Sequence, residues 1–232
     1  MKIGVLFFIG LFSYLGFAQE DKYDNSELYE KYREDQFYGS VTYNLLNHKP
    51  SGVSQTDFSS GFHFGFIRDM PINERRNVAV GLGLGVSANF YNQKNVLIQE
   101  TDNEISFEII NEADYNVSKN KFSTYLIEVP LEIRWRTSTV KDYSFWRIYT
   151  GFKFGYLVHS VIKFKSDLGD VKLSNIDNFN KLQYGLTLSA GYSTWNFHVY
   201  YGLNSIFDKD SKLNEQSIDM KSLKIGLMFY IL

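Results

Sequence analysis

Six charged side chains fall on one parity of two neighbouring segments: Glu128, Glu132, Arg134 and Arg136 in the first, Arg147 and Lys153 in the second. Opposite charges repeated at even spacing can neutralise one another in an ion-paired plug, or line a charged conduit. Acid–base or nucleophilic chemistry asks for more, a base within hydrogen-bond reach of a nucleophile. His48, His63, His159 and His198 do not supply metal chemistry, because no two are spaced at i, i+2 or i+4. Gly81, Gly83 and Gly85 are spaced by two with no Lys-Ser or Lys-Thr after them, so they are strand residues and not a phosphate loop. Segment 94–120 carries Glu100, Asp102, Glu104, Glu108, Glu112 and Asp114 against Lys94 and Lys119, but in no calcium-loop spacing. Its Ile105, Phe107 and Ile109 alternate with Ser106, Glu108 and Ile110, which predicts an extended hairpin. No metal and no cofactor is expected.

The elements that must position the six charges are β-strands. Val78, Val80, Leu82, Leu84, Val86, Ala88 and Phe90 alternate with Ala79, Gly81, Gly83, Gly85, Ser87 and Asn89, a period of two sustained from end to end. The same alternation predicts strands over Phe37–Leu45, Phe62–Phe66, Tyr125–Trp135, Trp146–Val158, Leu182–Tyr192, Trp195–Leu203 and Leu223–Ile231. Several reach the roughly 9 to 11 residues that a tilted strand needs to cross a bilayer. The predicted fold is therefore all-β: a closed antiparallel transmembrane β-barrel of about eight strands. A lipid-facing Arg or Lys at the bilayer midplane costs roughly 2 to 4 kcal/mol, so the six charges face inward and the apolar parity faces lipid. The interior of so small a barrel is nearly filled by side chains, which favours an ion-paired plug over a conduit. His63 and His159 fall inward by the same parity, out of reach of a lipid substrate, so no catalytic residue is expected.

Link lengths sort in the way such barrels require. The links at 47–58, 94–120, 161–178 and 208–218 are long, whereas those at 69–76, 138–143 and Ser193-Thr194 are short. Short periplasmic turns and longer external loops follow, with both termini on the periplasmic side. Trp135, Trp146 and Trp195 sit beside the short links on apolar faces, as an interfacial girdle does.

The start of the chain indicates export. Lys2 precedes an apolar run from Ile3 to Phe17 ending in Gly16-Phe17-Ala18, a signal-peptide pattern over 1–18. Residues 19–35 read as an acidic periplasmic tail in which Tyr23, Tyr29 and Tyr32 could contact a partner, and 36–232 as the barrel. No cysteine is present, so the fold stands without disulfides. Aromatics make up 17% of the chain and prolines number only 3, with no linker between domains, which favours one β domain. The formal net charge of −2 with mixed signs excludes a nucleic-acid partner.

The segment Tyr125-Leu126-Ile127-Glu128-Val129-Pro130-Leu131-Glu132-Ile133 resembles the Tyr-Leu-Glu-Ile-Pro-Leu strand of the small outer-membrane β-barrels of Bacteroidota, the PorT-like or "porin family" group. Gly61–Pro71, Val78–Gly85 and the Ala-Gln cleavage site add to the resemblance. It implies an outer-membrane location, and one member, PorT, is associated with type IX secretion and gliding. The expectation is a non-enzymatic structural or assembly component whose partners are outer-membrane lipids and a periplasmic or secretion-system protein. The alternative is a narrow porin-like diffusion channel.

Overall fold

β-Branched and aromatic residues on one parity, with small or polar residues on the other, suit a pleated surface with two unlike faces. The computed structural model describes residues 33–55, 58–94, 96–101, 104–109, 116–137, 145–167, 169–213 and 216–231. The expected signal peptide and the tail up to residue 32 lie outside the described residues. The strands are β1 (Gln36–Asn47), β2 (Ser60–Pro71), β3 (Val78–Asn92), β4 (Val96–Thr101), β5 (Glu104–Ile109), β6 (Val117–Arg136), β7 (Trp146–Ser166), β8 (Gly169–Ser174), β9 (Leu182–Tyr192), β10 (Trp195–Gly202), β11 (Lys212–Leu213), β12 (Gln216–Ser217) and β13 (Lys221–Ile231).

Antiparallel pairing runs β1, β2, β3, β6, β7, β9, β10, β13. β13 then pairs back onto β1 from Phe37↔Ile231 to Asn47↔Lys221. Eight strands thus close a cylinder without a free edge, as the alternation predicts. The exposed set is apolar around the whole circumference, including Phe64, Leu84, Ile133, Phe154, Leu188 and Leu227. An apolar surface of that extent belongs in lipid, and the buried set is correspondingly polar.

Two features depart from the simple alternation. β6 begins at Val117 and β7 runs to Ser166, so both project well past the segments predicted for them. The links expected at 94–120 and 161–178 are therefore partly strand, the first holding the β4–β5 hairpin and the second the β7–β8 pair. The extension escapes a single-parity reading because the β6–β7 ladder contains an irregularity: Leu126 pairs with Leu157 but Tyr125 pairs with His159. Val158 is the extra residue, and beyond it the parity of β7 reverses, so that Ser160, Ile162 and Phe164 are buried. A bulge does this by putting two residues of one strand opposite one of the other. His159, expected inward, lies instead opposite Tyr125 on the outward parity and bonds Asn175 at 2.6 Å.

Candidate functional site

The inner parity of β1, β2, β6, β7 and β13 brings the charges together in two layers. Nearest the short-turn end, Asp69 of β2 receives both arginines of β6. Arg134 Nη1 donates to Asp69 Oδ1 at 2.8 Å, and Arg136 grips the same carboxylate with two donors at 2.7 and 2.8 Å. Arg134 also donates to the backbone carbonyl of Glu34 and to the Gln36 side chain, and stacks over the Tyr149 ring at 4.1 Å. The chain leading into β1 is tied into the same layer. Gln36 Nε2 donates to Glu34 Oε2, and the Asp69 amide donates to Asp35 Oδ1 at 2.8 Å. Both arginines are fully buried. Arg147 completes the layer over the Phe145 ring at 4.4 Å.

Glycines make this layer possible. A Cβ on Gly81 would lie 2.7 Å from Arg134 Cδ, and one on Gly65 would lie 2.7 Å from the Tyr38 ring. Gly81 and Gly65 thus each leave the space of a side chain to a long residue of the adjacent strand, Arg134 of β6 and Tyr38 of β1.

The middle layer centres on Glu128. His63 Nδ1 stands 3.1 Å from Glu128 Oε1, and Lys153 Nζ is 3.4 Å from Oε2. Glu132 contacts Arg134 Nε at 3.7 Å, so it joins the lower layer to this one. Around them, Ser189 Oγ and His198 Nδ1 are 2.7 Å apart, Tyr91 Oη and Ser222 Oγ are 2.8 Å apart, and Lys224 lies over the Tyr200 ring at 4.8 Å. Ser189 and His198 are both buried in the lumen, where no lipid acyl chain reaches them.

The long-loop end is closed differently, by an apolar stopper. Leu46, Tyr91, Phe122 and Ile162 from the barrel wall meet Val53, Val96, Phe107, Phe179, Ile206, Phe207, Leu213, Ile218 and Met220 from the links in one buried cluster. Its rings interlock: Phe207 stacks on Phe179 at 4.9 Å and meets Phe122 and Phe107 edge-on at 5.3 and 5.8 Å. A small second sheet, β12-β11-β5-β4, holds these loops over the mouth.

All six charges singled out by parity, Glu128, Glu132, Arg134, Arg136, Arg147 and Lys153, are buried within the barrel. Sequence reading missed Glu34, Asp69 and Lys224, which share that interior. Lys224 had a signal, since it stands between Leu223 and Ile225 on the inward parity of the last strand. Asp69 had one too, six residues after His63 on the same parity. Most of the stopper had none: Phe107 lies on the alternation of its hairpin, but Val53, Phe179, Ile206 and Phe207 follow no period. Among the described residues, no group of three or more His, Asp or Glu side chains is arranged to hold a metal ion. The contacts of this interior are ion pairs and hydrogen bonds, and the apolar cluster occludes its long-loop end.

Of the comparisons with known proteins, the family model bears on the fold. The family model described as outer membrane protein beta-barrel domain matches residues 17–208. The crystal structure of Ail, the attachment invasion locus protein of Yersinia pestis, is 13% identical with a TM-score of 0.39, covering 85% of this chain and 99% of that one. The structure of the same protein in complex with the heparin analogue sucrose octasulfate is 15% identical with a TM-score of 0.38, again covering 85% and 99%. No curated protein matches the chain.

Proposed function

We propose, from the premise that this chain belongs to the family of the outer membrane protein beta-barrel domain, that it is a non-enzymatic structural or assembly component of the outer membrane. Its long-loop end faces outward and its short-turn end faces the periplasm, the arrangement usual for such barrels. The observation that carries this reading is the filled lumen. The Asp69, Arg134 and Arg136 layer lies toward one end and the Phe107, Phe122, Phe179 and Phe207 stopper at the other. A solute passing through would have to part a bidentate buried ion pair and an interlocked aromatic cluster, so a narrow diffusion channel finds no support. A filled barrel acts through its surfaces: lipid on the outside, loops at one end and short turns at the other.

In its finer form the proposal assigns the chain to type IX secretion or gliding machinery. What supports it is the resemblance carried by Tyr125–Ile133 and the hydrogen bonds that tie Glu34 and Asp35 to the short-turn end of the barrel. The test is purification of the full chain in mild detergent, with planar-bilayer recording of the same preparation. Secretion subunits that co-purify with the wild type and are lost when residues 19–32 are deleted support the reading. A barrel recovered alone, with steady conductance whose ion selectivity changes in Glu128→Gln, overturns it.

A further inference from the structure

The wall of the barrel carries a row of lysines that the lumen does not use. β6, β7 and β8 place three of them in register, Lys121 opposite Lys163 and Lys163 opposite Lys172. One rung further, Lys119 faces Lys165, whose ammonium is paired with Asp170. Parity turns the row outward, since Phe122 and Ile162 beside it are buried in the stopper and Leu173 packs against that cluster. Like charges directly opposite on paired strands oppose folding. The Lys165 to Asp170 contact is the one ion pair of this patch among the described residues, so Lys121, Lys163 and Lys172 face one another without a carboxylate between them.

The height of the row gives the repulsion a purpose. From Tyr125 on, the outward residues of β6 are apolar: Tyr125, Ile127, Val129, Leu131, Ile133 and Trp135. Ten residue steps at roughly 3.3 Å each, tilted by about 40°, make a band of about 25 Å, the height of the apolar belt of such barrels. Lys121 is the second outward position beyond Tyr125. Its Nζ lies 5.8 Å from the centroid of Phe90, and Phe90 meets Tyr125 and Phe62 edge-on at 6.2 and 6.4 Å. Aromatic rings at the rim of an apolar belt mark the interface between acyl chains and headgroups. The lysines therefore stand where headgroup phosphates lie, and Lys is a point-charge binder of phosphate.

We propose that Lys121, Lys163 and Lys172 form a binding site on the barrel wall for the phosphate of an outer-leaflet glycolipid headgroup. Three ammonium groups in one row are then held together by the anion that they share, and the bound lipid seals the wall beside β8. The assignment to the outer leaflet rests on the orientation proposed above.

The experiment is native mass spectrometry of the full chain in detergent with bisphosphorylated lipid A and with lipid A stripped of both phosphates. Wild type and a control with Lys209→Gln and Lys212→Gln on another loop are expected to retain the bisphosphorylated lipid at least tenfold more than the stripped one. The triple variant Lys121→Gln, Lys163→Gln, Lys172→Gln is expected to lose that preference while its unfolding temperature without lipid is unchanged or higher, because the repulsion is gone. Should the triple variant not fold, Lys163→Gln alone, at the centre of the row, is expected to show at least a threefold loss. Equal retention by wild type and variant overturns the site, as does retention that ignores the phosphates. Suppression by millimolar inorganic phosphate would reduce it to a free-anion site and overturn the lipid assignment. Separately, Lys172→Cys is expected to react with an impermeant maleimide on intact cells. No reaction would overturn the orientation and with it the leaflet, whatever the detergent result.

Discussion

Asp69 neutralises two guanidiniums in a place that water does not reach. Arg134 and Arg136 are both fully buried and both bonded to it. Breaking a buried pair by removing one partner is far more harmful than exchanging the whole pair for apolar groups, because the remaining charge is stranded. Asp69→Asn is therefore expected to lower stability by about 3 to 5 kcal/mol, read from urea unfolding in detergent. Adding Arg136→Met to it should recover part of the loss. If Asp69→Asn unfolds like the wild type, the lower layer does not hold the barrel. Gly81→Val tests the same layer from β3, the strand between those of Asp69 and Arg134, since its new side chain would meet Arg134 Cδ. It should slow or block refolding, whereas Gly39→Ala, with open space around its Cβ, should refold normally. At this scale most of the site was legible. Parity alone put the six charges together, because charge cannot face lipid, and the same rule carried three residues past the predicted end of β2, and applied within β13, finds Asp69 and Lys224. The strand end at Asp69 was obscured by Arg68 beside it, which made a buried carboxylate look like the first residue of a polar turn.

At the scale of elements, the barrel strands were legible and the stopper was not, for one physical reason. A strand announces itself through a period, but a loop residue is buried by where its backbone goes, and Val53, Phe179 and the Ile206-Phe207 pair come from three separate links. The bulge at Val158 hid the rest: one extra residue reversed the parity of β7, turned His159 outward and brought Ile162 and Phe164 inside. The stopper's energetic weight can be measured. Phe207→Ala removes a ring that touches Phe107, Phe122 and Phe179, and truncation of a packed phenylalanine costs about 3 to 5 kcal/mol. Phe207 lies outside the eight barrel strands, so the expected outcome is loss of protease resistance in the loops at lower temperature while the β-sheet circular dichroism signal persists. Simultaneous loss of both signals would mean that loops and barrel fold as one unit.

For the whole molecule, the question is where the cylinder sits in the bilayer, and its own tryptophans can answer. Trp135 pairs with Ile148, Trp146 with Tyr192, and Trp195 with both Tyr192 and Phe229, so all three stand at the short-turn rim on outward parity. They are 42%, 60% and 64% exposed, which in a membrane means exposed to lipid. Indole prefers the headgroup boundary to the acyl core, because its ring is apolar and its N–H needs a partner. Since the chain has only 3 tryptophans, intrinsic fluorescence reports this rim alone. In vesicles of brominated phosphatidylcholine, bromines near the carbonyl end of the acyl chain are expected to quench most of the emission, and bromines near the methyl end much less. Trp146→Phe and Trp195→Phe should each reduce the signal without changing its depth preference. Equal quenching at both depths would place the rim inside the hydrocarbon, and the lysine row on the far side of the apolar belt would then stand too far from the opposite headgroups to meet their phosphates. Depth at one rim thus constrains chemistry at the other, because a closed barrel with paired strands transmits position along its length without bending.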